Sequence, residues 1–189
     1  CPPGRFKAFR DAHPDHIALT YINCSAEVKA LSDIIVTSSS AETILAQIPK
    51  DQKIIFGPDR HLGGYLSRKF GREMLLWPGV CIVHEAFSET ELLKLKAQYP
   101  GAPVAAHPEC PPHIIDHADY VGSTSAMIEH VAKVHPKQVA MITECSMAGN
   151  VAVEFPDVEF IQPCNLCPHM KRITLPRILT ALETLSPAI

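Results

Sequence analysis

No stretch of this sequence stays apolar for the roughly 18 residues that a membrane-spanning helix needs. No run of lysine and arginine exists either. With a net charge of -3, that argues against nucleic acid as a partner. No secretory leader is readable, so the 7 cysteines point to the reducing cytoplasm, where thiols serve metals or catalysis. Their odd number excludes complete disulfide pairing. The 17 prolines are scattered among turns and form no tract, and no linker stands out. An initiator Met is also missing. The opening "CPPGRFKAFRDAHPDH" is therefore expected to be the middle of a longer protein.

What is present is 189 residues, 47% apolar and 20% charged, enough to bury a real core in one large domain or two small ones. Short apolar runs alternate with helical patterns. Strands are expected at "HIALTYIN", "DIIVT", "KIIFG", "EMLLW", "VCIVH" (80–84), "PVAAH", "DYVG", "QVAMIT" and "VEFIQ". Between them, helices are expected at "SAEVKALSD" with Ser25 as N-cap, and at "SSSAETILAQI" with Ser39 and Glu42 as a capping box. Others fall at "DRHLGGYLSRKFG", "SETELLKLKAQYP", "PPHIIDHA", "STSAMIEHVAKV" and "TLPRILTALETL". Strands alternating with helices through short connections imply parallel α/β layers.

The sequence also repeats weakly on itself at an offset of 86 residues. In one gapless register Pro14 meets Pro100, Asp33 meets Asp119 and Gln52 meets Gln138. Thr37-Ser38-Ser39 meets Ser123-Thr124-Ser125, Cys24 meets Cys110, and Cys81 meets Cys167. This predicts two copies of one small α/β unit, with sites built from loops at the carboxyl ends of the strands. Tyr21 and Asn23 become the counterparts of His107 and Glu109, and Ser38 that of Thr124. Cys81 and Cys167 should converge if the copies are related by rotation. A third copy would place its cysteine just ahead of Cys1, and three thiolates suit a [4Fe-4S] cluster with one iron open to act as a Lewis acid.

Taken alone, Cys164-x-x-Cys167 leaves three readings open: a redox pair, half of a zinc site, or one ligand beside a neighbouring thiol. His107 and Glu109 alternate along a strand end and suit proton transfer. Ser38, Ser123 and Thr124 lie where strands give way to helix starts, which favours anions as well as plain capping. Lys171 and Arg172 could attract an acidic substrate or simply be solvated. His13, His16, His61, His113, His117, His130 and His135 are expected to face solvent or sit in turns, and Cys24, Cys110 and Cys145 to be structural.

The segments "YINCSAEVKALSD", "VTSSSA", "GPDRHLGGYL", "WPGVCIVHEAF", "HPEC", "GSTSAMI" and "CNLCPHMKRITL" together resemble the quinolinate synthase family along essentially the whole chain. That resemblance implies three homologous α/β domains around a pseudo-threefold axis. Residues 1–80 correspond to the second domain, 81–173 to the third, and 174–189 to a C-terminal helix. The first domain and the first cluster cysteine are missing from this sequence. The implied activity condenses iminoaspartate with dihydroxyacetone phosphate to quinolinate, with loss of two waters and phosphate, in de novo NAD biosynthesis. An aspartate oxidase or dehydrogenase supplying iminoaspartate is the implied partner.

By the same resemblance, Cys81 and Cys167 are ligands of a [4Fe-4S] cluster. The Cys-x-x-Cys spacing itself favours Cys164 as a neighbour able to pair reversibly with Cys167 when the cluster is absent. Tyr21 and Asn23 contact substrate, and Ser38, Ser123 and Thr124 hold carboxylate or phosphate. His107 and Glu109 are the acid/base pair, and His84 lines the same pocket. Two other readings stand beside this one: a non-catalytic metal or thiol-redox scaffold built on Cys164-x-x-Cys167, and an inactive fragment of the enzyme.

Overall fold

A computed structural model describes residues 1–186, so the last three residues of the expected 174–189 helix lie outside the described part. The first half runs α1 (Pro3–Asp11), β1 (His16–Tyr21), α2 (Ala26–Ala30), β2 (Ile34–Val36), α3 (Ala41–Gln47), β3 (Lys53–Phe56), α4 (Arg60–Phe70) and β4 (Leu75–Leu76). The second half runs α5 (Glu89–Gln98), β5 (Val104–Ala106), α6 (Pro112–Ile115), β6 (Tyr120–Val121), α7 (Thr124–Val134), β7 (Gln138–Ile142), α8 (Cys145–Glu154) and β8 (Glu159–Ile161). A 3-10 turn at Met170–Arg172 and α9 (Leu175–Thr184) follow.

The strands form two four-stranded sheets, ordered β2-β1-β3-β4 and β6-β5-β7-β8, and every pairing is parallel. Each sheet is the middle of three layers, and the alternation of side chains along its strands shows why. Leu19, Tyr21, Ile54 and Phe56 point to one face, onto Leu45 of α3 and Leu62 and Leu66 of α4. Ala18 and Ile55 point to the other, onto Phe6 of α1, Val28 of α2 and Trp77. In the second sheet Val104, Ala106 and Ile142 face Leu92 of α5 and Ile114 of α6, while Ala105 and Met141 face Met127 and Val131 of α7 and Ala148 of α8.

The repeat is visible in detail. Asp33 and Asp119 hold the same place: each carboxylate accepts a strand amide at 2.8 Å, from Ala18 and from Val104. Each aspartate's own N–H then donates to that residue's carbonyl, at 3.0 and 2.9 Å. The register is not gapless, however. Leu19 pairs with Phe56 and its counterpart Ala105 with Met141, so β3 and β7 match at 85 residues, not 86. Gln138 opens β7 whereas Gln52 precedes β3, and the two are not equivalent. A one-residue slip within a strand would turn every side chain to the wrong face. The difference is absorbed instead in the connection before β3, and the 86-residue match returns at β4 and β8, where Ile55 pairs with Leu75 and Ala140 with Ile161.

Other expectations are corrected. Residues 80–84 form no strand; the chain turns there, with the Glu85 N–H donating to the Cys81 carbonyl at 2.9 Å. The capping box of α3 is Thr37 with Ser40, which exchange backbone N–H bonds at 2.9 and 3.0 Å. The first helical bond already goes to the Thr37 carbonyl, which makes Thr37 the cap and Ser40 the third residue in. Glu42 pairs instead with Lys69. Helices α1 and α8 were not foreseen. Pro2, Pro3 and Gly4 hide the first, and Gly149 and Asn150 dilute the pattern of the second.

Candidate functional site

The carboxyl ends of β1 and β5 meet at one carboxylate. Glu109, 3% exposed, follows β5, and three side chains surround its Oε2. The Tyr21 hydroxyl, from the end of β1, donates to it at 3.4 Å. His107 Nδ1 lies 3.2 Å away and His84 Nδ1 3.6 Å away. The two imidazoles stack with centroids 4.9 Å apart, and Thr143 at the end of β7 contacts His84 Nε2 at 3.2 Å. The Cys81 sulfur joins this group: the ligand atoms of Cys81, His84 and Glu109 lie within 4.8 Å of one another.

Electrostatics follow from burial. Burial would raise the Glu109 carboxyl, but His107 beside it outweighs that and the pKa is lowered, so the group is a carboxylate. Burial, reinforced by the Glu109 charge, pushes the Tyr21 phenol up and keeps it a donor. The same two causes push the Cys81 thiol up to about 11. Burial drives His84 down to about 4, so its ring is neutral near pH 7. His107 Nδ1 also meets the Glu109 backbone N–H at 3.4 Å, and that contact requires the opposite tautomer to the carboxylate contact. The carboxylate contact is shorter and charged, so the proton sits on Nδ1 and leaves Nε2 free. His84 Nδ1 is buried without a hydrogen-bond partner. Such an orphan costs about 1–3 kcal/mol and suits a site completed by a ligand.

The hydroxyl loops approach each other as well. The Ser39 hydroxyl donates to Ser123 Oγ at 3.2 Å across the two units, and Ser123 caps α7 through the Ala126 N–H. Ser38 lies beside the Tyr21 hydroxyl. Asn23 and Thr124 are exposed, and among the described residues neither bonds to Glu109. Cys167 is half-buried and lies outside the Cys81–His84–Glu109 group. Its backbone nevertheless mirrors that of Cys81: the Lys171 N–H donates to the Cys167 carbonyl at 3.1 Å, as Glu85 does at Cys81.

Cys164 is not the partner of Cys167. It forms a disulfide with Cys145 at the start of α8, with Cα atoms 4.9 Å apart. The pairing crosses 19 residues of sequence, which the Cys-x-x-Cys spacing could not reveal. His61 is not a solvent-facing residue; its side chain is 9% exposed and bonds Glu85 at 2.5 Å, joining α4 to the Cys81 turn. Sequence reasoning also missed Asp59, Thr143, Glu144 and Asn165. Only Asp59 carried a readable signal, an aspartate directly before a helix.

A shallow groove of about 490 Å³ between α5 and β8, lined by Lys94, Gln98, Glu159 and Gln162 among others, holds none of these residues. No helix among the described residues is long and apolar enough to cross a membrane.

The family profile described as quinolinate synthetase A protein matches residues 1–189. Relatives named quinolinate synthase include one from Chloroherpeton thalassium, 48% identical over 197 residues, covering 100% of this chain and 61% of the relative. One from Synechocystis sp. is 48% identical over 196 residues, covering 100% of this chain and 62% of the relative. One from Gloeothece citriformis is 45% identical over 196 residues, with 100% and 61% covered. The chain thus spans about three fifths of the length of the curated relatives it matches.

Proposed function

The chain belongs to the quinolinate synthetase A family, and from that membership we propose that it forms part of a quinolinate synthase, a transferase condensing iminoaspartate with dihydroxyacetone phosphate to quinolinate. The observation that carries this reading is the convergence of Tyr21, His84 and His107 on Glu109, beside the Cys81 sulfur. The activity proposed is that of the full-length relatives, of which this chain spans about three fifths. Two waters and phosphate are lost in the condensation, so protons must move at carbon and oxygen.

The residues present fit a [4Fe-4S] cluster in part. Cys81 and Cys167 offer two thiols that open equivalent turns, and His84 Nδ1 is left without a hydrogen-bond partner beside Cys81. The third thiolate would come from sequence the relatives carry and these residues do not. When bound, such a cluster supplies a Lewis acid for substrate oxygens. His107, held through Nδ1 by Glu109, exchanges protons at Nε2. Tyr21 donates from its hydroxyl, and His84 stays neutral and offers Nδ1. Asn23, Ser38, Ser123 and Thr124 supply hydrogen bonds to carboxylates and phosphate, with the amino end of α7 adding its dipole. The proposed setting is the cytoplasm, with iminoaspartate supplied by an aspartate oxidase or dehydrogenase.

Anaerobic reconstitution with iron and sulfide should give a broad absorption near ~400 nm. Cys81→Ser and Cys167→Ser should abolish it, and Cys164→Ser should not. A second reading is favoured by the donor triad itself: Cys81, His84 and Glu109 also suit a single divalent ion. One tightly held zinc per chain without sulfide, lost in His84→Ala, would support that reading over the cluster.

A further inference from the structure

We propose that Asp59 and Glu144 are paired positioning residues, whose carboxylates fasten the backbones of Cys81 and Cys167 to the amino ends of α4 and α8. The inference rests on the reading of those two cysteines as ligands.

Asp59 and Glu144 occupy equivalent places. Each stands three residues beyond the strand residue paired with Leu19 or Ala105, and each directly precedes a helix. Asp59 Oδ1 accepts the His61 and Leu62 N–H groups at 2.6 and 2.9 Å, and its Oδ2 accepts the Cys81 N–H at 2.6 Å. Glu144 Oε2 accepts the Ser146 N–H at 2.7 Å, and its Oε1 accepts the Cys167 N–H at 3.1 Å. In both, one oxygen caps the helix and the other holds a cysteine 22 or 23 residues further on. A backbone bond runs alongside: the Arg60 N–H donates to the Gly79 carbonyl at 2.8 Å, and the Cys145 N–H to the Asn165 carbonyl at 3.1 Å. The residue type has changed between the copies and the contact has not, so the contact is the repeated feature.

The requirement is for two acceptors on one rigid group. An amide has one acceptor oxygen, and its nitrogen would face an N–H, so Asn or Gln must surrender either the cap or the cysteine. Activation of the thiol does not explain the arrangement, because a negative charge at Asp59 opposes thiolate formation at Cys81. What the clip supplies is placement. The cysteine amide is tied to the carboxylate and its carbonyl to the next turn, so the thiol leaves from a backbone held at both ends. Asn165 extends the lattice by donating to the Val83 carbonyl at 3.3 Å, linking the Cys167 segment to the Cys81 turn.

The test is site-resolved alkylation of the 189-residue chain with iodoacetamide, read by peptide mass spectrometry without reductant. Asp59→Asn should raise the modification rate of Cys81 about tenfold and leave Cys167 within about twofold, and Glu144→Gln should do the reverse. Ser88→Ala, which removes an ordinary cap from α5, should lower the melting temperature without changing either rate. The proposal is overturned if the two carboxylate variants leave their own cysteine unchanged, or accelerate both cysteines in proportion to lost stability. Should Asp59→Asn not fold, Glu144→Gln alone decides, since Cys167 must respond and Cys81 must not. Failure of the cluster reading would show separately, as iron and sulfide uptake indifferent to Cys81→Ser, with the alkylation pattern intact.

Discussion

The two halves of the chain share a strand order, a pair of clamping aspartates, hydroxyl caps at Thr37 and Ser123 and an acidic clip on each cysteine turn, yet they secure that turn differently. In the first half Asp59 is 2% exposed, and Trp77 packs edge-on against Phe6 and Phe9 close by. In the second half Glu144 is less deeply set, and the neighbouring loop is tied covalently through Cys145 and Cys164. The positions equivalent to those cysteines are Arg60 and Pro78. A fold can therefore repeat its geometry while exchanging one source of rigidity, aromatic packing, for another, a crosslink.

The sharpest way to break this comparison is in the sheets. Phe56→Ala and Met141→Ala empty equivalent, fully buried positions, and each should cost about 3–4 kcal/mol in urea unfolding. Two separate transitions, each moved by only one variant, would mean the halves fold independently. Close behind, reduction or a Cys145→Ala/Cys164→Ala double variant should remove about 3 kcal/mol, given the 19-residue separation. That loss should fall on the second half and leave amide exchange in β1 and β3 unchanged.

A pH experiment separates the two clips. Burial raises the Asp59 carboxyl to about 6, from 3.8 when unfolded. The folded form then favours the protonated acid, so this contribution is complete below pH 3.8 and lost as pH rises through 6, up to about 3 kcal/mol. For Glu144 burial also pushes upward, but the Cys167 and Ser146 amides outweigh it and the pKa is lowered. Its contribution is present above pH 4.5 and is lost as pH falls. Relative to the parent chain, Asp59→Asn should gain stability as pH rises from 4 to 7, whereas Glu144→Gln should gain it as pH falls below 4.5 and change little above that; the same pH dependence in both variants would erase the contrast. The smallest effect concerns the clamps: Asp33→Asn and Asp119→Asn should each cost about 1 kcal/mol. Asp33 should cost slightly more, because it also pairs with Arg10 at 2.6 Å.

Much of the architecture was legible because it is local. Strands such as "KIIFG" are short apolar runs bounded by turn residues, and Ser25, Ser88 and Ser123 announce their helices by capping them. The repeat could be read from Asp33 and Asp119 because both carry the same bond. The one-residue slip before β3 could not, since loop length leaves no mark on the pattern of a strand.

Of the site, the alternation of His107 and Glu109 was readable, as was the spacing of Cys81 and Cys167. Four features were not: the bond from Tyr21 to Glu109, the stack of His84 on His107, the pairing of Cys145 with Cys164, and the hold of Asp59 and Glu144 on the cysteine turns.

By itself, then, the order of residues determined two parallel α/β units and which side chains stand at their strand ends, because periodicity and capping act over a few residues. Only the folded chain decided which of those ends face each other and which thiol joins which. Such closures bring together groups 19 to 88 residues apart, and their energy depends on distance through space.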